Sequence, residues 1–242
     1  MNKLKFNQKI SNQSFAFGLF VLLPAYIFFG SIIISALMQF VFQVSGIQVS
    51  IESMDGYLNF IFDLVFVVVS LLVFRKDLIR QWKHLKRLSL MTVINHILIS
   101  IPILYLANIA GSLLSIGLSG NMVTSQNQEL IESLLMQMPV LMVIAVTVFA
   151  PILEELIFRL LLFTGFYKRG RLIAYVASAG LFGFLHVFQP ILQGNVSEIL
   201  MIFPYLFMGI GLCYVYERSN NIVVPVIAHG FMNTLSVLLI ML

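Results

Sequence analysis

The chain has 242 residues, of which 60% are hydrophobic and only 10% are charged. Soluble globular domains carry about 45–50% apolar and about 25% charged residues, so this composition excludes a soluble protein and indicates an integral membrane protein. The formal net charge of +4 follows the predicted membrane topology described below, and we expect no nucleic-acid partner. The one cysteine, Cys213, excludes an internal disulfide framework and a cysteine-built metal site. We interpret it as a small apolar residue of a helix.

Seven apolar segments are long enough to cross a bilayer, which takes about 20 residues. The sequence therefore predicts an all-α, polytopic membrane helix bundle of about seven transmembrane helices. Its richness in Ile, Asn and Lys is compatible with a bacterial plasma membrane protein. The first segment follows lysines as a signal peptide does. It is much longer than a signal core of about 7–15 residues, so we interpret it as a retained anchor. The predicted spans are 15–43, 57–74, 88–118, 138–166, 171–189, 197–216 and 222–242.

Basic residues divide the connections into two classes. The loops around 44–56, 119–137 and 190–196 contain no Lys or Arg, whereas the connections between them are rich in both. By the positive-inside rule this pattern predicts a cytoplasmic amino terminus and an external carboxyl terminus. The predicted external loops hold acids instead: Glu52, Asp55, Glu129 and Glu132. Every basic residue except Arg159 falls on the predicted cytoplasmic side: Lys3, Lys5, Lys9, Arg75, Lys76, Arg80, Lys83, Lys86, Arg87, Lys168, Arg169, Arg171 and Arg218.

Two polar features outside the late spans have open interpretations. The basic connection, residues 75–87, is either a surface helix on anionic lipid or only a topology determinant, and the second interpretation is sufficient for the sequence. Asp63, inside the second span, is either a further functional acid or a residue near the outer end of its helix that reaches water.

Charged residues interrupt the fourth span in the stretch PILEELIFRLLL, residues 151–162. A charged residue near the centre of a membrane helix costs about 2.5–3.5 kcal/mol on insertion scales. Glu155 and Arg159 are four residues apart and share a helix face, so we expect them to pair and to lower this cost. Glu154 lies about 100° around the helix without such a partner, which predicts that it is left free for chemistry.

Two further polar pairs occur in the late spans. Phe182 and His186 are four residues apart in LFGFLHVF, and His229 and Asn233 are four apart in VPVIAHGFMNTL. The helical rise and the predicted topology place both pairs and the glutamates near mid-membrane. An ionisable residue at that depth is a functional candidate by default. The alternative is that each histidine bonds a neighbouring carbonyl and that Asn233 joins two helices.

These side chains suit the hydrolysis of a carbonyl compound, with a peptide bond as the first candidate. A buried carboxylate can act as general base on water, and histidine and asparagine can donate hydrogen bonds to a developing oxyanion. Alternatively, Glu154, His186 and His229 bind Zn²⁺ and leave one position for water. The H-E-x-x-H zincin pattern is absent. Ser178, near His186 in sequence, is interpreted as a small packing residue.

The order E-E-x-x-x-R, F-x-x-x-H and H-x-x-x-N on successive late helices resembles the CPBP family of intramembrane proteases. This family, also called Abi, comprises CAAX prenyl endopeptidases and bacterial bacteriocin-processing or immunity proteins. The similarity covers about residues 138–240, and Leu160 stands where the family often has a small residue. We therefore divide the one bundle into amino-terminal helices with the basic loop, residues 1–137, and CPBP-like catalytic helices, residues 138–242. The matching residues are Glu154, Glu155, Arg159, Phe182, His186, His229 and Asn233.

The resemblance implies proteolysis within the membrane. One glutamate would activate water, His186 would assist, and His229 with Asn233 would bind the oxyanion. We favour Glu154 as the base because Glu155 has a ready partner in the arginine, and the opposite assignment stays open. Family members are often labelled metalloproteases, whereas the glutamate mechanism needs no metal.

The expected substrate is a peptide or protein in or at the bilayer, either prenylated and CAAX-like or bacteriocin-related. Two other classes of function compete with proteolysis. One is a non-catalytic bacteriocin immunity protein that sequesters a peptide. The other is a small proton-coupled transporter that uses the buried acids, although no inverted repeat is visible. The sequence predicts neither the exact substrate nor the oligomeric state.

Overall fold

The structure, a computed structural model, describes residues 6–121 and 124–242, without the side chains of residues 51 and 52. The fold is 87% helical, with no strand in this described part. Seven of its helices are long and apolar enough to cross a membrane, which confirms the predicted fold class. The orientation of the amino terminus stays a prediction. Lys3 and Lys5, used to predict it, lie outside the described residues, as does the side chain of Glu52.

We label the main helices α1 to α9 in chain order. Seven of them are the spans, and each agrees with its predicted segment to within about six residues. The other two, α3 and α5, lie in the connections that precede the third and fourth spans. The bounds are α1 Asn12–Ser45, α2 Ile51–Val73, α3 Arg75–Leu85, α4 Leu90–Ser119, α5 Gln126–Gln137, α6 Pro139–Tyr167, α7 Arg171–Leu192, α8 Val196–Ser219 and α9 Val223–Met241.

Serine and glycine set the ends of several helices. The serines before α1, α2, α4 and α5 each accept a hydrogen bond from the backbone N–H three residues later, which satisfies a donor that the helix itself cannot. Gly46 and Gly120 end α1 and α4 with φ angles of 70° and 75°, a left-handed conformation that glycine adopts without steric cost. The capping serines are Ser11, Ser50, Ser89 and Ser125.

Helix α6 is the central element of the bundle. All residues from Glu155 to Phe163 are buried, although most membrane helices here expose one side. The same nine residues are wound as a π-helix, a departure from α-geometry that often marks functional sites. Since no side of this segment faces lipid, the charged side chains on it can be compensated only by other protein groups.

Helix α5 was not predicted, because the sequence analysis assigned its residues to an external loop. It begins after Ser125, whose hydroxyl lies 2.7 Å from the hydroxyl of Tyr205. The backbone N–H of Gln126 donates to Glu198 Oε1 at 3.1 Å. Leu134 and Leu135 are buried in a small apolar cluster separate from the main core. The helix is therefore fixed across the same end of the bundle at which α8 begins.

Helices α4 and α8 approach each other closely at Gly111. A Cβ atom built at this position would lie 2.5 Å from the carbonyl oxygen of Phe203 and 2.7 Å from Cα of Pro204. These are backbone atoms and cannot move aside as a flexible side chain can. Small residues at such crossings allow membrane helices to pack backbone against backbone, so Gly111 sets the distance between α4 and α8.

We predict that Gly111→Ala destabilises the bundle by about 1–3 kcal/mol, the usual cost of overpacking. Gly117→Ala, in the same helix, is the matched control, because no atom lies within 4 Å of the Cβ position there. Thermal unfolding in a mild detergent checks the prediction. Equal melting temperatures for the two variants would show that the crossing has room for a methyl group.

Candidate active site

A buried ion pair joins Glu155 and Arg159, as the sequence predicted. Arg159 Nη1 lies 3.1 Å from Glu155 Oε1, and both side chains are fully buried. Arg159 Nη2 also donates to the carbonyl oxygen of Gly209 at 3.0 Å, and the guanidinium lies 4.8 Å from the centroid of the Phe182 ring. A buried pair is more tolerable when further contacts compensate its charges, and the carbonyl and the ring supply part of this compensation. Arg159 Nε has no hydrogen-bond partner among the described residues.

His229 lies between the two glutamates. Its Nδ1 is 3.0 Å from Glu155 Oε1, and because a carboxylate only accepts, Nδ1 carries the hydrogen. Its Nε2 is 3.6 Å from Glu154 Oε2, which is longer than a hydrogen bond. Glu155 therefore fixes the orientation of the imidazole and turns Nε2 toward Glu154. Helical spacing alone does not predict that one histidine contacts both acids.

The carboxylates of Glu154 and Glu155 differ sharply in solvent exposure. The side chain of Glu154 is 15% exposed and that of Glu155 is 0% exposed. Glu155 Oε1 is shared between Arg159 and His229, and Glu155 Oε2 is buried without a hydrogen-bond partner among the described residues. Only Glu154 can therefore meet a water molecule without breaking the ion pair.

His186 contributes a second imidazole with a defined tautomer. Its Nδ1 is 2.7 Å from the carbonyl oxygen of Phe182, so Nδ1 donates and Nε2 keeps a lone pair. The ring stacks on Tyr205 at a centroid distance of 4.2 Å. The Phe182 ring lies 4.6 Å from the ring of His186 and 6.0 Å from that of His229, so Phe182 lies between the two histidines. Its supporting role stays a prediction.

Asn233 is placed differently from the glutamates and histidines. Its Nδ2 donates to the carbonyl oxygen of Val146 at 2.9 Å, which joins α9 to α6. This contact is the helix-joining alternative that the sequence left open. Among the described residues no hydrogen bond links the Asn233 amide to a glutamate or a histidine. Its role at the oxyanion stays a prediction.

Two polar residues near the site were missed or left undecided by the sequence. Tyr205 looked like one more aromatic residue of an apolar span, and only its tertiary contact with His186 singles it out. Asp63 lies at the depth of Glu154, because α2 and α6 run in the same direction and Phe60 contacts Phe149 at a centroid distance of 5.4 Å. Counting onward at about 1.5 Å per residue places Asp63 and Glu154 within about 3 Å of the same level. Asp63 is within electrostatic reach of Glu154.

Ser178 and Cys213 have the structural roles that the sequence predicted. Ser178 Oγ donates to the carbonyl oxygen of Phe158 at 2.7 Å, and Cys213 is free and buried. Both lie at the packing contacts between helices rather than beside Glu154.

The zinc alternative requires donor atoms that are grouped closely enough to hold one ion. In the part of the chain that the structure describes, no three His, Cys, Asp or Glu side chains are grouped as metal ligands. Nδ1 of His229 and Nδ1 of His186 are each engaged by protein oxygens. These contacts leave Nε2 of both histidines available, which is the usual arrangement in a metal-binding histidine. The zinc set Glu154, His186 and His229 therefore stays a prediction, and we derive no step through a metal.

We predict that Arg159→Met lowers the free energy of unfolding by about 3–5 kcal/mol, because it leaves the Glu155 carboxylate buried without its cation. The double variant Glu155→Gln with Arg159→Met removes both charges and should regain most of this loss. Denaturant unfolding in detergent measures both. A double variant as unstable as the single one would show that packing, and not charge compensation, is the reason for Arg159.

Comparison with known proteins agrees with this arrangement. A family model described as Type II CAAX prenyl endopeptidase Rce1-like matches residues 136–235, a range that contains all the motif residues. The chain is 30% identical over 228 residues to the protein named Putative membrane peptidase YdiL of Bacillus subtilis (strain 168). The aligned region covers 91% of this chain and 87% of that protein. No solved structure matches the chain significantly. The chain therefore belongs to the CPBP family and is an integral, multi-pass intramembrane protease.

Proposed function

We propose that this protease hydrolyses a peptide bond with a water molecule that Glu154 activates. The observation that carries the proposal is the difference between the two adjacent carboxylates: Glu154 is partly exposed, whereas Glu155 is enclosed by its ion pair. A general base must lie within reach of the proton that it removes. Glu154 meets that condition, and Glu155 acts as a positioning residue.

His229 is well placed to stabilise the oxyanion. The Glu155 carboxylate at Nδ1 orients the imidazole of His229, in the way that an acid orients a catalytic histidine. Its Nε2, 3.6 Å from Glu154 Oε2, would face the attacked carbonyl and would donate to the oxyanion when it carries a hydrogen. A positioned donor of this kind is worth about 2.7–4 kcal/mol in the transition state.

His186 suits the task of holding the water. Its Nε2 lone pair can accept one O–H of the water while Glu154 accepts the other, which aims the water oxygen at the substrate carbonyl. The stacked ring of Tyr205 fixes the plane of the imidazole.

The proposed hydrolysis has two steps. Glu154 takes a proton from water as the water oxygen bonds to the carbonyl carbon, and the oxyanion receives the hydrogen bond from His229. Glu154 then returns the proton to the leaving nitrogen, and the C–N bond breaks. Asn233 is proposed to support the oxyanion region by holding α9 against α6 through Val146.

The proposed substrate is a peptide held in or at the bilayer. The site lies on helices that cross the membrane, and the matching family model is described by CAAX prenyl endopeptidase activity. A prenylated or CAAX-like peptide is therefore the first substrate to test, and a bacteriocin-related peptide is the second.

We expect Glu154→Gln to abolish cleavage of a membrane-peptide library, with a loss of about 10²–10⁴-fold, while the protein keeps its thermal stability. Glu155→Gln is the matched variant one position away, and we expect it to lose both activity and stability. Each protein is assayed with and without a chelator. Wild-type activity lost on chelation would favour the zinc alternative, and peptide binding without cleavage by the wild type would favour a sequestering immunity protein.

The two histidines give a separate prediction. His186→Ala and His229→Ala should each abolish cleavage, and Asn233→Ala should weaken it. His96→Ala is the control, because His96 lies on α4, outside the range 136–235 that matches the family model and carries the site histidines. Initial cleavage rates in detergent or nanodiscs measure the effect. Full activity of both site histidine variants would contradict the assignment.

A further inference from the structure

Helix α3 is held at a membrane surface by its short connections. Only Phe74 separates it from span α2, and residues 86–89 separate it from span α4. An extended chain covers at most about 3.3–3.6 Å per residue. Both ends of α3 are therefore tied close to the ends of two spans, whichever side of the membrane they face.

Two polar residues of α3, Asp77 and Gln81, face the protein. Asp77 is 0% and Gln81 is 1% exposed. Asp77 accepts a hydrogen bond from the backbone N–H of Ser11 at 2.9 Å, and Gln81 Nε2 donates to the hydroxyl of Tyr216 at 2.8 Å. Gln81 also binds the turn between α8 and α9, where it accepts from the N–H of Ile222 at 2.8 Å. Asp77 and Gln81 are therefore committed to contacts within the protein, although Asp77 Oδ2 has no hydrogen-bond partner among the described residues.

The opposite side of α3 is apolar at its centre. Ile79 and Trp82 are each 54% exposed, whereas a helix in water usually turns such side chains inward, as α3 does with Leu78. Trp is enriched where a membrane meets water, because its ring suits that boundary. The exposed face of α3 thus matches the headgroup region of a bilayer and not an aqueous surface.

Cations surround this apolar centre. Lys86 Nζ lies 5.5 Å from the centroid of the Trp82 ring. Within the described part of the chain, Arg80 is the one cation of this group that pairs with a carboxylate, that of Asp77. The others have no acidic partner among the described residues: Arg75, Lys76, Lys83, Lys86 and Arg87. A cluster of unpaired cations beside a membrane surface attracts anionic headgroups.

We propose that α3 is a binding site for anionic phospholipid, with Trp82 and Ile79 inserted among the headgroups and the unpaired cations contacting lipid phosphates. Charge and apolar surface select the occupant together, because a neutral lipid would leave the cations uncompensated and a soluble anion would leave the tryptophan in water. A basic loop that served only as a topology determinant would need neither the exposed tryptophan nor the inward-facing Asp77 and Gln81.

Trp82 is the single tryptophan of the chain, so its fluorescence reports on α3 alone. The full protein in neutral detergent is titrated with phosphatidylglycerol or phosphatidylcholine, each carrying bromine on the acyl chains as a quencher. We expect phosphatidylglycerol to quench Trp82 at much lower concentration than phosphatidylcholine, and added salt to reduce that preference. Equal quenching by both lipids, or none by either, would overturn the proposal.

Two double variants distinguish lipid binding at α3 from attraction by the overall positive charge of the protein. Lys83→Gln with Lys86→Gln should lower the apparent affinity for phosphatidylglycerol about 10–30-fold. Lys168→Gln with Arg169→Gln removes the same charge from the connection between α6 and α7 and should leave the affinity unchanged. Equal losses in both variants would show that net charge, and not α3, selects the lipid. Because the wild-type titration stands on its own, a variant that fails to fold leaves the proposal testable.

Discussion

The buried guanidinium of Arg159 is the constraint on which the rest of the site depends. A cation at the centre of a membrane bundle must be compensated by protein groups, and the closest carboxylate, Glu155, is committed to that task. Because Glu155 is committed, it can also hold Nδ1 of His229 in one place. The neighbouring Glu154 is then the carboxylate left for water. The difference between two adjacent identical residues thus follows from one ion pair.

The same constraint accounts for the shape of the bundle around α6. Its segment Glu155–Phe163 is buried on all sides, so neighbouring helices must supply groups that lipid cannot. Helix α8 supplies the carbonyl of Gly209, α7 supplies the Phe182 ring, and α9 supplies His229. The close crossing at Gly111 sets the position of α8 from its other side. The site is therefore built from the carboxyl-terminal helices and braced by the earlier ones.

Much of this arrangement could be predicted from the sequence. The contacts between separate helices could not, for a physical reason. Span number and the Glu155–Arg159 pair depend on composition and on local helical spacing, which the sequence displays directly. Contacts such as that of His229 with both glutamates, or of Tyr205 with His186, depend on how separate helices rotate against each other. Helix α5 was missed because its twelve residues are too polar to resemble a span. The contact of Asn233 could not be predicted for the same reason. Spacing placed Asn233 on the face of His229 but could not reveal its bond to Val146.

The most direct test that Glu154 is the base and Glu155 a positioning residue is the single-turnover cleavage rate in a variant without the ion pair. The double variant Glu155→Gln with Arg159→Met keeps an acceptor for His229 Nδ1 and removes both buried charges. We predict that this folded variant still cleaves peptide at a reduced rate and that adding Glu154→Gln eliminates the remaining activity. If the double variant is folded but inactive while Glu154→Gln alone cleaves normally, Glu155 is the base and the account is wrong.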